Sequence, residues 1–524
     1  MPARVAVVPP AAFHARPRLL GALAQALPVR FEPRAPGQWR DVDAVVRIGA
    51  AAAAAPPPLP CLDAQADEPP VRPGAAAATV RLAARDEELD ARLHDAALTD
   101  APVAVTAALA ATEPAALVAA RGGEPLWLRS AGGRERVAVA PRELDDGEML
   151  RSRLEPGRCL ALLALVHFLR RAAQAELFDA PPLRAAFILD DPNLHWPTYG
   201  HVRYSDLARD AAAYRYHVAI ATVPLDTWFV HPRVRRIFLG SARQLSLLVH
   251  GHLHDGPELG RVSDESSAAR IGAAALRRVA ALERRSGLGV SRVMAPPHER
   301  LSEPAAHGLL ACGFDGVTMS RPHPWLPGGW LAAPPDAGPL VGWGVAEQIV
   351  GGLPVLLRSA LSHPREDLVL RAFLGQPLIL YGHARDLAGG TEALRTAAQQ
   401  INRLGSVHWT SLGDMLASSA ETRVDGSRLV VRMHARRVRV DVPPGIDHIA
   451  LTHAGDACAP RMLGVEHPGT VELALPAPAP RPAAAPAPGG AAWPVLRRLA
   501  SEARDRVAPL AAGRVRAPRR PHPA

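Results

Sequence analysis

Between residues 182 and 418, short and nearly continuous apolar runs alternate with longer stretches of helical period. The runs are RAAFILD (184–190), HVAIATV (217–223), LSLLVH (245–250), GVSRVMA (289–295), FDGVTMS (314–320), PLILYGH (377–383) and SVHWTSL (406–412). Strands covered on both faces lose the in/out alternation of a half-exposed sheet, so this pattern predicts a parallel sheet or barrel wrapped by helices. The clearest helix takes Ser263 or Asp264 as its N-cap. It carries Ile271, Ala275, Val279 and Leu282 on one face and stops before Gly287.

The flanks read differently. Residues 1–150 predict an α/β domain, with strands at VAVV (5–8) and DAVVRIG (43–49), a helix near 17–26, and an Ala/Pro-rich loop over 50–75. The segment 154–174, within a bridging stretch 151–181, is apolar almost all round and predicts a buried helix. From 420 to 476, period-two runs such as RLVVRMHARRVRVDV predict a small antiparallel β domain. Residues 477–524 are rich in Pro, Ala and Arg and predict a disordered tail.

Composition then removes several classes of function. The 524 residues include no lysine, so all 60 basic residues are arginine. Schiff-base chemistry, a pyridoxal site and a lysine-bearing phosphate loop are thereby excluded. The net charge of +9 invites a nucleic-acid reading, but the arginines are dispersed and aromatics make up only 4%, so no nucleic-acid partner is expected. Four cysteines, Cys61, Cys159, Cys312 and Cys458, stand far apart, with no CxxC pair. The N-terminus lacks the order of a signal peptide and no run is long enough to span a bilayer, which together predict a cytoplasmic protein.

The chemistry-bearing groups sit at strand ends. Asp190 and Asp191 follow the first run, His250, His252 and His254 the third, and His383 the sixth. In parallel α/β folds such ends share one mouth. Two adjacent carboxylates there raise each other's pKa unless one of them binds a metal. His250 and His254, at i and i+4, with an aspartate and an open position form a sound catalytic metal set. Read separately, the Asp pair is a helix cap and the histidines are a polar loop. His252 points away on an extended chain and reads as a loop residue or a substrate contact.

Asp190–Asp191, H-x-x-x-H at His250 and His254, the strand end MAPPHER and the late LILYGH follow the order of motifs in the polysaccharide deacetylase superfamily. Residues 182–418 resemble that family. The resemblance implies a distorted (β/α)7 barrel that uses one divalent metal, most often zinc, to remove acetyl groups from N-acetylated sugars or sugar conjugates. It makes Asp190 the general base, Asp191, His250 and His254 the metal ligands, and His383 the general acid; Asp386, three residues on, reads as a solvent-exposed loop carboxylate or else as a group that orients His383. Asn193, His195, Trp196 and His298 are candidates to line the substrate mouth, and Trp196 to stack on a sugar. Two positions depart from the family pattern. Pro192 follows the Asp pair where glycine is usual, and Ala295 stands where an arginine usually braces the base; Arg292 lies nearby on the wrong alternation. A catalytically inactive barrel that binds glycan or scaffolds a complex is the competing reading. An amidohydrolase using an H-x-H pair is disfavoured because here the carboxylates come first.

Overall fold

The computed structural model describes residues 1–49, 57–67, 78–83, 86–100, 109, 115–130, 132–321, 341–348, 352–362, 366–454, 459–475 and 496. Seven parallel strands close into a barrel. They are β1 (Leu183–Asp190), β2 (Val218–Thr222), β3 (Leu245–His250), β4 (Val290–Ala295), β5 (Gly316–Met319), β6 (Pro354–Ala360) and β7 (Leu378–His383), each paired to the next, with β7 and β2 both on β1. β8 (Val407–Trp409) forks off β1. It pairs with Leu183–Ala185, on the edge where residues Phe187–Asp190 take β2.

β6 is the strand absent from the sequence reading, which had SVHWTSL as the seventh. PVLLRSA carries Arg358 and Ser359 amid its apolar residues and opens on a proline, so its period is obscured. SVHWTSL forms only the short wedge β8.

Alternation along each strand sorts two cores. Phe187, Leu189, Ile220, Leu247, Val249 and Val317 face out and pack under the helices. Ala186, Ile188, Ala219, Ala221, Leu248, Val293, Ala295, Leu356 and Ile379 face in. A barrel of seven strands is narrow, which explains four alanines among the inward set. Helix Glu265–Ser286 is capped by Asp264, whose side chain accepts the Ser267 amide at 2.8 Å, and ends at Gly287 with φ 70°.

Before the barrel lies a nine-stranded mixed sheet that begins with Ala3–Val8 and includes Ala44–Ile48. Part of the expected 50–75 loop is strand. Cys61–Asp67 pairs parallel to Ala44–Ile48, and its buried Asp63 binds Arg47 through Nη2 at 2.7 Å. The predicted bridging helix is Leu160–Ala172, buried from Leu160 to Leu169, and its core cluster runs from the sheet to Leu370 and Phe373 in a barrel helix.

Beyond the barrel, strands Ala420–Asp425, Arg428–Met433, His448–His453 and Arg461–Gly464 form one sheet, and Arg437–Val442 with Gly469–Ala474 another. All pairings there are antiparallel except Arg428–Met433 with His448–His453, because the chain between them crosses to the other sheet. Their inward residues share one core with the barrel interior. Arg184 closes the barrel floor, donating to the Met415 carbonyl at 2.8 Å and the Ser419 hydroxyl at 3.0 Å. Residue 496 aside, the tail from 477 lies outside the described residues, as does Cys458. Among the described residues no helix is long and apolar enough to cross a membrane.

Candidate metal centre at the barrel mouth

The inward alternation that places Ile188, Leu248, Leu356 and Tyr381 in the barrel carries on for two more residues. It delivers Asp190, His250, Arg358 and His383 to the upper rim. Asp190 is directly in register with His383, and His250 with Ala295.

Asp191 follows with φ 83°, a left-handed conformation that turns its carboxylate towards the histidines. Its Oδ1 lies 3.2 Å from His254 Nε2 and 3.7 Å from His250 Nε2. One ligand atom from each of Asp191, His250 and His254 falls within 4.8 Å of the other two. His250 is buried and its Nδ1 meets the Ala295 carbonyl at 2.8 Å. A carbonyl only accepts, so Nδ1 carries the proton and Nε2 offers its lone pair to the cluster. Two imidazoles and a carboxylate so arranged fit a divalent transition metal.

The loop holding His254 folds around one carboxylate. Glu258 accepts the backbone amides of His252 at 2.6 Å and His254 at 3.0 Å, as well as that of Leu253. Gly251 (φ 62°) and His254 (φ 56°) adopt left-handed turns that aim those amides inward. His252 stands outside the ligand cluster. Its Nε2 is buried without a partner among the described residues, and burial, then Arg278 and Arg277, push its pKa down to about 4, so the ring is neutral.

Asp190 is braced from an unexpected strand. Arg358, on β6, donates Nη1 to Oδ1 at 3.0 Å and Nη2 to Oδ2 at 2.9 Å, the paired geometry that makes arginine–carboxylate bonds strong. The guanidinium also donates Nε to Glu299 at 2.7 Å and lies over the Tyr381 ring, 4.1 Å from its centroid. Burial works against the charge on Asp190, but Arg358 foremost, then His250, holds its carboxyl below the usual range. Arg292 faces away and pairs with Glu283 at 2.6 Å.

His383 borders the same mouth. Its backbone amide donates to Asp386 Oδ2 at 2.7 Å, and its ring accepts the Asp386 amide. Asp386 thus holds the start of the turn, with its carboxylate 3.8 Å from the ring Nδ1. His298 is exposed, with its ring centroid 5.4 Å from that of His254. Asn193 is fully buried, with Oδ1 accepting the His195 amide at 3.2 Å; His195 is buried and bonded through Nε2 to the Asp226 carbonyl at 2.7 Å. Both shape the loop from within. Trp196 stands on its surface, 55% exposed.

Of seven non-glycine residues with positive φ among the described residues, four sit here: Asp191, His254, His298 and Glu299. Such conformations cost energy and persist where the surroundings impose them, a concentration found at functional sites. Sequence reading missed Arg358, Glu258, Glu299 and Tyr381. The only signal was one arginine inside the apolar run PVLLRSA.

Fold and rim together define a seven-stranded parallel barrel with carboxylates and histidines gathered at its mouth. Similar solved structures are polysaccharide deacetylases and family 4 carbohydrate esterases, the family whose motifs the sequence resembles. A Mycobacterium smegmatis protein assigned to the polysaccharide deacetylases shares 14% identity at a TM-score of 0.31, over 46% of this chain and 93% of its own. A family 4 acetyl xylan esterase from Clostridium thermocellum, solved with a cobalt ion, shares 10% at 0.26, over 44% and 89%. A family 4 pseudoenzyme from Bacillus anthracis shares 12% at 0.26, over 43% and 63%. No family model and no curated protein matches the chain.

Proposed function

We propose that this chain is a metal-dependent hydrolase that removes the acetyl group from an N-acetylated sugar or sugar conjugate. The observation carrying the proposal is the Asp191–His250–His254 cluster standing one residue from an aspartate held ionised by Arg358. Asp191, His250 and His254 hold the cation, and the donor set suits zinc. A divalent ion bound there polarises the amide carbonyl and makes water a nucleophile near neutral pH. Asp190 takes the proton from the attacking water, with Arg358 keeping the carboxylate in one orientation. His383, in its protonated form, gives a ring N–H proton to the departing amine and is left as neutral imidazole. Trp196 offers a face on which a sugar ring stacks, and His298 a polar contact at the rim.

The test combines metal content with acetate release from a panel of N-acetyl sugars and sugar conjugates, with and without chelator. We expect about one divalent ion per chain, lost in Asp191→Ala and in His254→Ala. Asp190→Asn keeps the ion and loses turnover. Full occupancy in both ligand variants overturns the site. Bound metal and bound glycan without turnover would favour an inactive glycan-binding barrel.

A further inference from the structure

Aromatic residues are scarce in this chain, yet three of them stand together in water beside the mouth. Trp196 is 55% exposed, Trp228 68% and Phe229 41%. They lie on the loops leaving β1 and β2, which the His231 amide ties together by donating to the Leu194 carbonyl at 2.9 Å. The support beneath them is built rather than frayed. The His195 ring centroid lies 4.8 Å from that of Trp228 and 6.3 Å from that of Phe229, and Trp196 lies 6.4 Å from His231. The Thr227 hydroxyl donates to Pro224 at 2.7 Å, and Arg285 donates to the Thr227 carbonyl at 2.7 Å. Large apolar area held out by a rigid scaffold marks a binding surface.

Its charge says what it meets. Helix Pro232–Gly240 begins directly after the loop, turning Val234 and Phe238 inward and Arg233, Arg235, Arg236 and Leu239 outward. Between residues 192 and 243 there are seven arginines and only three acids, Asp206, Asp210 and Asp226. Helix Pro232–Gly240 itself holds three exposed arginines and no acid, and Asp226, the one acid of the loop before it, is buried, so this exposed face is basic. Exposed Trp and Phe rings beside arginines and a leucine match the interfacial zone of a negatively charged bilayer, where rings enter the headgroup layer and guanidinium groups pair with anionic lipid.

We propose that Trp228 and Phe229, with Arg233 and Arg236, dock the barrel mouth onto an anionic lipid surface. This stands independently of the proposed reaction. The test is flotation of the full chain with vesicles of phosphatidylcholine alone or mixed with phosphatidylglycerol. Binding is expected only to the mixed vesicles, falling with added salt. Arg233→Gln with Arg236→Gln should weaken it by roughly fivefold per arginine at an unchanged melting temperature, and Trp228→Ser with Phe229→Ser at least as strongly, in protein shown to be folded by its cooperative melting transition. Equal behaviour towards both vesicle types, or variants that bind as well as the parent, overturns the proposal. So does loss of binding to a soluble oligosaccharide in the aromatic variant while its vesicle binding persists, which would make the patch a sugar platform.

Discussion

A guanidinium buried between two carboxylates, as Arg358 is between Asp190 and Glu299, cannot be removed without leaving uncompensated charge away from water. Arg358→Met is therefore expected to lose about 3–5 kcal/mol of stability, read as a shifted denaturation midpoint. It should retain the metal, since Asp191, His250 and His254 are untouched. Arg358→Lys keeps the charge but not the paired hydrogen bonds, so it should recover part of the stability and less of the turnover. A midpoint unchanged in Arg358→Met would show that Asp190 is held by something else.

At the scale of elements, the loop after β3 is the tightest part of the site. A Cβ added to Gly251 would collide with the Glu258 carboxylate and stand 2.6 Å from Pro297 Cγ, at a backbone φ of 62°. Gly251→Ala should therefore displace Glu258, release the amides it organises, and lower metal occupancy severalfold, measured by metal analysis of the folded protein. Helix packing has a similar pinch. A Cβ on Gly308 meets Ala268 and comes within 2.7 Å of the Ala269 amide nitrogen, so Gly308→Ala should cost about 1–3 kcal/mol without touching the site. The same elements show what the sequence could carry. Strands ending in chemistry, such as FILDD and LILYGH, were legible because burial on both faces makes them continuous and their last inward residue breaks the run. β6 was not, because its inward arginine looks like an interruption until its two carboxylate partners are brought beside it by folding. Glu258 and Glu299 were equally hidden: nothing local distinguishes a loop carboxylate that organises three amides or holds a guanidinium from one that faces water.

The whole molecule hangs together through shared cores. Inward residues of the C-terminal strands continue the barrel interior below Arg184, so a chain ending at residue 419 should expose that floor and aggregate, seen by light scattering. Helix Leu160–Ala172 joins the N-terminal sheet to the barrel, and its His167 has a buried Nδ1 without a partner among the described residues. Burial, then Arg129 and Arg171, lower the His167 pKa from 6.5 to about 3. The unfolded chain therefore binds the proton first as pH falls. Stability is lost below pH 6.5, by about 1.4 kcal/mol one unit down, and the loss levels off near pH 3. His167→Phe should flatten that part of a melting-temperature profile. The position of Arg358 has a consequence for descent as well as for chemistry. A closed ring of parallel strands gives each rim residue several neighbours that reach the same point, so a missing side chain can be supplied from another strand and linear order ceases to define the site. Ala295→Arg in an Arg358→Ala background should then restore part of what Arg358→Ala loses, a transplant along the ring that tests whether place, rather than ancestry of the strand, is what selection has kept.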